Sequence, residues 1–157
     1  RDKAYKVKKI DKEIDDYIKQ IKVIINKNKV NLGHTLADDN NNPGNLLYMK
    51  QPNSKPGKGG VTLENGQFVP FAKFDTKELG YRGLIKQMQA DQRRNLTLRE
   101  FVTKYAPPKE NDTELYINTM KNWLNIEDNY KINKINPIEL AKWIAKFESQ
   151  TEVYDNK

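Results

Sequence analysis

A chain of 157 residues, 36% hydrophobic and 31% charged, carries enough apolar side chain to bury one sizeable core and reads as one globular domain with fringes. It has no cysteine and a single histidine, His34; this excludes disulfides, thiolate metal sites and a Cys nucleophile, and argues against a catalytic triad or a multi-histidine metal centre, so no metal and no cofactor is expected. No apolar run approaches the roughly 20 residues that cross a bilayer, and the net charge of +7 favours an anionic partner: nucleic acid, an acidic membrane surface or a bacterial wall polymer.

The basic N-terminus RDKAYKVKK runs into the amphipathic IDKEIDDYIKQIKVII rather than an apolar core, so it does not read as a signal peptide. Within 10–26, Ile10, Ile14, Tyr17, Ile18, Ile21 and Ile25 recur at spacings of three and four, which predicts a helix with an apolar stripe. From Asn26 to Asn45 the Asn, Asp and Gly content, closing in NNNPGN, predicts loop. LLYM suits a short strand, and QPNSKPGKGG suits a flexible connector. VTLENGQFVPFAKFD then holds Asn65-Gly66 between two alternating runs, the signature of a small antiparallel hairpin.

The remainder of the chain predicts four helices, each with its own punctuation. Asp75 with Glu78 forms a capping pair that opens a helix to about Asp91, burying Leu79, Leu84, Ile85 and Met88. Thr97 with Glu100 opens another over Leu98, Phe101, Val102 and Tyr105, which the APP sequence stops. Asn111 with Glu114 opens a third along Leu115, Ile117, Met120, Trp123 and Leu124. Asn136 caps the last, with Pro137 at its first position and Glu139 closing the box. The expected fold is mainly α, several helices around one hairpin.

The last helix places Ala141, Ile144, Ala145 and Glu148 on one face, because residues three, four and seven apart stack above one another. A carboxylate on the core side has its ionised form disfavoured, which suits a general acid; Phe147 and Trp143 could supply apolar surroundings. The same residue in a last turn can also swing into solvent, and periodicity alone leaves both readings open.

Four blocks, NNNPGN, FAKFDTKELGYRGL, APPKENDTELYI and LAKWIAKFES, occur in the order found in a lysozyme-like family of phage virion and related bacterial proteins, which this chain resembles from about Asn40 to Ser149. The resemblance implies a lysozyme-like helical domain over 36–150, preceded by a helix and linker over 1–35 and followed by a tail over 151–157. It implies Glu148 as a catalytic acid similar to the helix-ending glutamate of lysozymes and lytic transglycosylases. In those enzymes the helix precedes the hairpin, so the order here implies circular permutation. The chain departs from the family in having Asp38 and Asp39 where an Arg commonly precedes the Asn run, in lacking Trp-x-Gly before the hairpin, and in Ser149-Gln150 for Asn-Gly.

A second carboxylate is sought because most glycosidases use two. Glu64, at the start of the hairpin turn, is the first candidate, with a solvated turn residue as its alternative reading, and Asp38 and Asp39 are weaker ones, since Asp in an Asn-rich loop usually makes local turn bonds. Asn45, Tyr48 and Tyr81 are candidate sugar contacts, each with a structural alternative: turn geometry for the NNNPGN loop, where Gly44 is expected to supply positive φ, and core packing for Tyr81. His34 carries no assignment.

The resulting expectation is a muramidase or lytic transglycosylase cutting the β-1,4 bond between N-acetylmuramic acid and N-acetylglucosamine in peptidoglycan, located in a phage virion or bacterial cell envelope. The alternative is a non-catalytic wall-binding or virion structural module on the same scaffold. Scattered lysines without interleaved aromatics argue against nucleic acid.

Overall fold

The computed structural model describes the backbone of residues 2–27, 35–107 and 112–149, and the side chains of all of these except 2–5 and 26–27. In chain order they form α1 (Asp2–Lys27), α2 (Leu36–Asp39), β1 (Ser54–Thr62), β2 (Phe68–Phe74), α3 (Lys77–Gln92), α4 (Leu98–Tyr105), α5 (Thr113–Leu124), a 3-10 turn (Ile132–Lys134) and α6 (Pro137–Ser149). The architecture is mainly helical with one two-stranded antiparallel sheet, as the sequence predicts. His34, Asn111, Gln150 and the tail lie outside the described residues.

The core is built on α3, which buries Tyr81, Leu84, Ile85 and Met88 to 2% exposure or less. It packs against both α1 and α6. The stripe read in α1 is the face it buries: Ile14, Tyr17, Ile18 and Ile21 join the same apolar cluster as Leu140, Ala141 and Ile144 of α6. The helix is longer at its start than its periodic segment, because its first turns need only helix-tolerant polar residues.

The capping signals hold with small shifts. Thr97 and Glu100 form the full reciprocal box, and the Asn136 side chain accepts from the Ile138 amide at 2.8 Å. The cap of α3 is Thr76 rather than Asp75: Thr76 is extended and its hydroxyl accepts from the Leu79 amide at 3.3 Å, while the Asp75 amide is held by the Asn53 carbonyl. In α5 the buried stripe is Thr113, Tyr116, Ile117 and Met120. Leu115, expected inside, is 56% exposed, because the cap at Asp112 sets the helix phase so that Tyr116 takes the inward position.

The hairpin is wider than expected. SKPGKGG, read as a connector, is most of β1. A two-stranded sheet has only edge strands, where Pro and Gly are tolerated. Its register slips between Pro56 and Gly60: Pro56 faces Ala72, but Gly60 faces Pro70. The extra residues of this bulge are paired by a side chain, since Asn40 donates to the Lys58 carbonyl and accepts the Lys58 amide, both at 2.9 Å. LLYM makes only one bridge, Leu47 with Phe71.

NNNPGN is the seam between hairpin and helices. Asn42, fully buried, donates to the carbonyls of Leu46 at 2.9 Å and Ala72 at 2.8 Å and accepts from the Leu46 amide at 2.9 Å. Asn41 donates to the Phe74 carbonyl at 3.1 Å. The left-handed residues are Asn41 and Asn45, both at φ 50°, not Gly44. Gly44 is required for a different reason: a Cβ there would stand 2.5 Å from Leu84 Cδ1 and 2.7 Å from the Tyr105 hydroxyl.

A candidate active site at the end of the last helix

α6 runs out of the core and ends where the loop after α2, the hairpin and the end of α4 converge. The packing of Ala141, Ile144 and Ala145 fixes the helix phase and so carries Glu148 to its inner end. There a cleft of about 650 Å³ opens, lined by Glu148 and Asn45 with Leu47, Phe71, Tyr105 and Ala106 and by the stretch Gly60 to Glu64. The bulge explains why that stretch lines it: an inserted residue bends a strand and increases its twist, re-aiming the residues beyond it.

The carboxyl group of Glu148 is partly sheltered. Burial pushes its pKa above the ordinary glutamate range, while the Asn45 amide and then the Tyr116 hydroxyl favour the ionised form and hold it back. Asn45 Nδ2 donates to Glu148 Oε1 at 3.1 Å. Tyr116, 1% exposed and stacked on Phe147 at 3.7 Å between ring centroids, faces the same carboxylate without a hydrogen bond of ordinary geometry. Three buried side-chain polar atoms among the described residues lack hydrogen-bond partners, and two of them, Asn45 Oδ1 and the Tyr116 hydroxyl, belong to the residues around Glu148.

Tyr105 closes one wall. Its hydroxyl donates to the Gly44 carbonyl, and burial, then the charges of Glu148 and Asp91, raise its pKa well above the ordinary tyrosine value. It is therefore a neutral donor that locks the NNNPGN loop against α4.

The structure thus brings Glu148, Glu64 and Asn45 to one cleft. Glu64 sits on the hairpin turn, exposed at the cleft margin. The two tyrosine candidates stand elsewhere. Tyr81 is 2% exposed within the core, so its ring has no face to offer a sugar. Tyr48 packs against the core and pairs its amide with the Pro70 carbonyl; it does not line the cleft. Asp38 is held by Lys77 at 3.2 Å and Asp39 by Lys58 at 3.6 Å, both away from it. Sequence reasoning missed Tyr116 and Tyr105. The signal for Tyr116 was its place in α5, hidden by the choice of Leu115 as the inward residue; nothing in the periodicity separates a Tyr that fills space from one whose hydroxyl meets a carboxylate.

Among the described residues no group of three or more His, Asp or Glu side chains could hold a metal ion, and no helix is long and apolar enough to cross a membrane. No protein-family model matches this chain, and no curated protein matches it.

Proposed function

We propose that this chain is a peptidoglycan-cleaving glycosidase of muramidase or lytic transglycosylase type, with Glu148 as general acid. The observation that carries the reading is a carboxyl group with raised pKa, placed in a cleft of about 650 Å³ and hydrogen-bonded on one oxygen by an amide. Such a group keeps its proton to higher pH than an exposed glutamate and can deliver it to a departing glycosidic oxygen. As the C–O bond breaks, the proton passes from Glu148 to that oxygen, and the Asn45 amide stabilises the carboxylate left behind. The cation-like sugar is then captured by water or by its own 6-hydroxyl, whose oxygen forms the new bond to the anomeric carbon as its proton returns to the Glu148 carboxylate. Glu64, at the cleft margin on the hairpin turn, is the second carboxylate available to stabilise the cation or to activate water. The resemblance of the four sequence blocks to lysozyme-like proteins supports the substrate class, and the net charge of +7 suits an anionic wall polymer in the cell envelope.

The test is release of soluble fragments from purified peptidoglycan. Wild type should release them, and Glu148→Gln should reduce the rate at least ~100-fold, the lower end of what a positioned acid contributes. Equal rates for the two proteins would remove Glu148 from the chemistry. Binding of wall material without fragment release by either protein would leave a wall-binding or virion structural module on this scaffold.

A further inference from the structure

A second pocket, of about 220 Å³, adjoins the cleft. Asn45, Leu47, Lys104 and Tyr105 line both, so a strand lying over Glu148 passes directly from one to the other. The floor of the second pocket is apolar, built from Leu46, Leu96 and Phe101. Its charged groups are Asp91, Arg94 and Lys104.

We propose that this pocket receives a carboxylate-bearing substituent of the glycan strand, recognised by Lys104 and Arg94, so that the site prefers charged wall glycan to a neutral polymer of the same backbone. The inference rests on the glycan-cleaving reading of the neighbouring cleft. Lys104 is exposed, stands at the junction of the two pockets, and makes no ion pair among the described residues. Arg94 is about half exposed, with only a long 3.9 Å contact to Asp91. Asp91 is buried, and Gln87 donates to its carboxylate at 3.1 Å. Burial raises the Asp91 pKa, against the Gln87 hydrogen bond and the charges of Arg94 and Lys104; with two cations to one carboxylate in its lining, the pocket is cationic on balance. A carboxylate arriving from the cleft meets Lys104 first and Arg94 beyond it, with an apolar floor that strengthens both interactions relative to open water. On wall glycan that carboxylate comes either from the lactyl ether of the muramic sugar or from an attached peptide.

The experiment uses the full chain carrying Glu148→Gln, which binds without turnover, and three probes: glycan strands with their peptides, the same strands stripped of peptide so that only lactyl carboxylates remain, and neutral N-acetylglucosamine oligomers. The expected result is tighter binding of the charged strands, with Arg94→Gln/Lys104→Gln lowering their affinity about tenfold and shrinking the charged-to-neutral ratio. Lys19→Gln/Lys22→Gln on the exposed face of α1 should leave that ratio as it was. Retention of the preference by stripped strands assigns the lactyl carboxylate, and its loss assigns the peptide. An unchanged ratio in the Arg94/Lys104 variant, or an equal drop in the α1 control, overturns the pocket's role while leaving the cleft intact. Failure of all three probes to bind overturns the reading of the cleft as well.

Discussion

A carboxyl group in the position of Glu148 is pulled two ways: burial favours the neutral acid, and the Asn45 amide favours the anion. The balance sets the pH range of any proton donation. A general acid works below its pKa and fails as pH rises through it, so activity should persist above the range that an exposed glutamate permits. Asn45→Gly tests the second influence without straining the backbone, because glycine accepts the φ of 50° at this position. Loss of the amide should raise the pKa further, moving the alkaline limb of the activity profile to higher pH; a limb that stays put or moves down would contradict the assigned role. Legibility in the sequence differs residue by residue. Glu148 is legible because helical spacing alone places it on the side of Ala141, Ile144 and Ala145. Asn45 is legible through its loop but not in its role, since its partner lies far away in the chain and no local rule links them. Tyr48 and Tyr81 carry two readings in the sequence, sugar contact and packing, because an aromatic side chain has the same signature whether it faces a ligand or a core.

At the scale of elements, the junction of loop, hairpin and helix decides whether the cleft exists. Gly80, on the first turn of α3, lies against the Asn41 carbonyl so closely that a Cβ would overlap it. Gly80→Ala should therefore cost about 3 kcal/mol, at the upper end for overpacking, read as a lower urea midpoint; an unchanged midpoint would mean that the seam is looser than described. On the opposite side, Arg99 ties α4 to Glu114 of α5 at 2.7 Å and to Asp128 at 2.7 Å, and Lys121 reaches Asp128 at 2.7 Å. Lys121 first and Arg99 second hold the Asp128 carboxyl down at about 2, below its ordinary 3.8. A depressed carboxylate contributes stability above its ordinary pKa that is lost as pH falls through the folded value. Asp128→Asn should therefore lower the melting temperature near neutral pH, by an amount that shrinks as pH drops from about 4 to about 2 and also shrinks in high salt. Helix starts are readable because capping is local chemistry, correct to a residue at Thr97 and off by one at Thr76. The bulge is not readable. It depends on Asn40 pairing with a strand 18 residues away, and KPGKGG by itself has the composition of a linker.

Across the whole molecule, α1 shares one apolar cluster with α3, α4, α5 and α6. Ile21 is fully buried in it, so Ile21→Ala should destabilise by about 2–5 kcal/mol, and native-state hydrogen exchange should show α3 losing protection along with α1. Loss confined to α1 would mean that this helix is an appendage. The cluster holds the inner end of α6 at the cleft, and the cleft gives the carboxyl its chemistry. The most direct test of that chain of dependence is a carbon-13 NMR titration of the Glu148 side-chain carboxyl in the intact protein. A sheltered acid should titrate with a midpoint above the ordinary 4.5, and a midpoint at or below 4.5 would contradict the assignment.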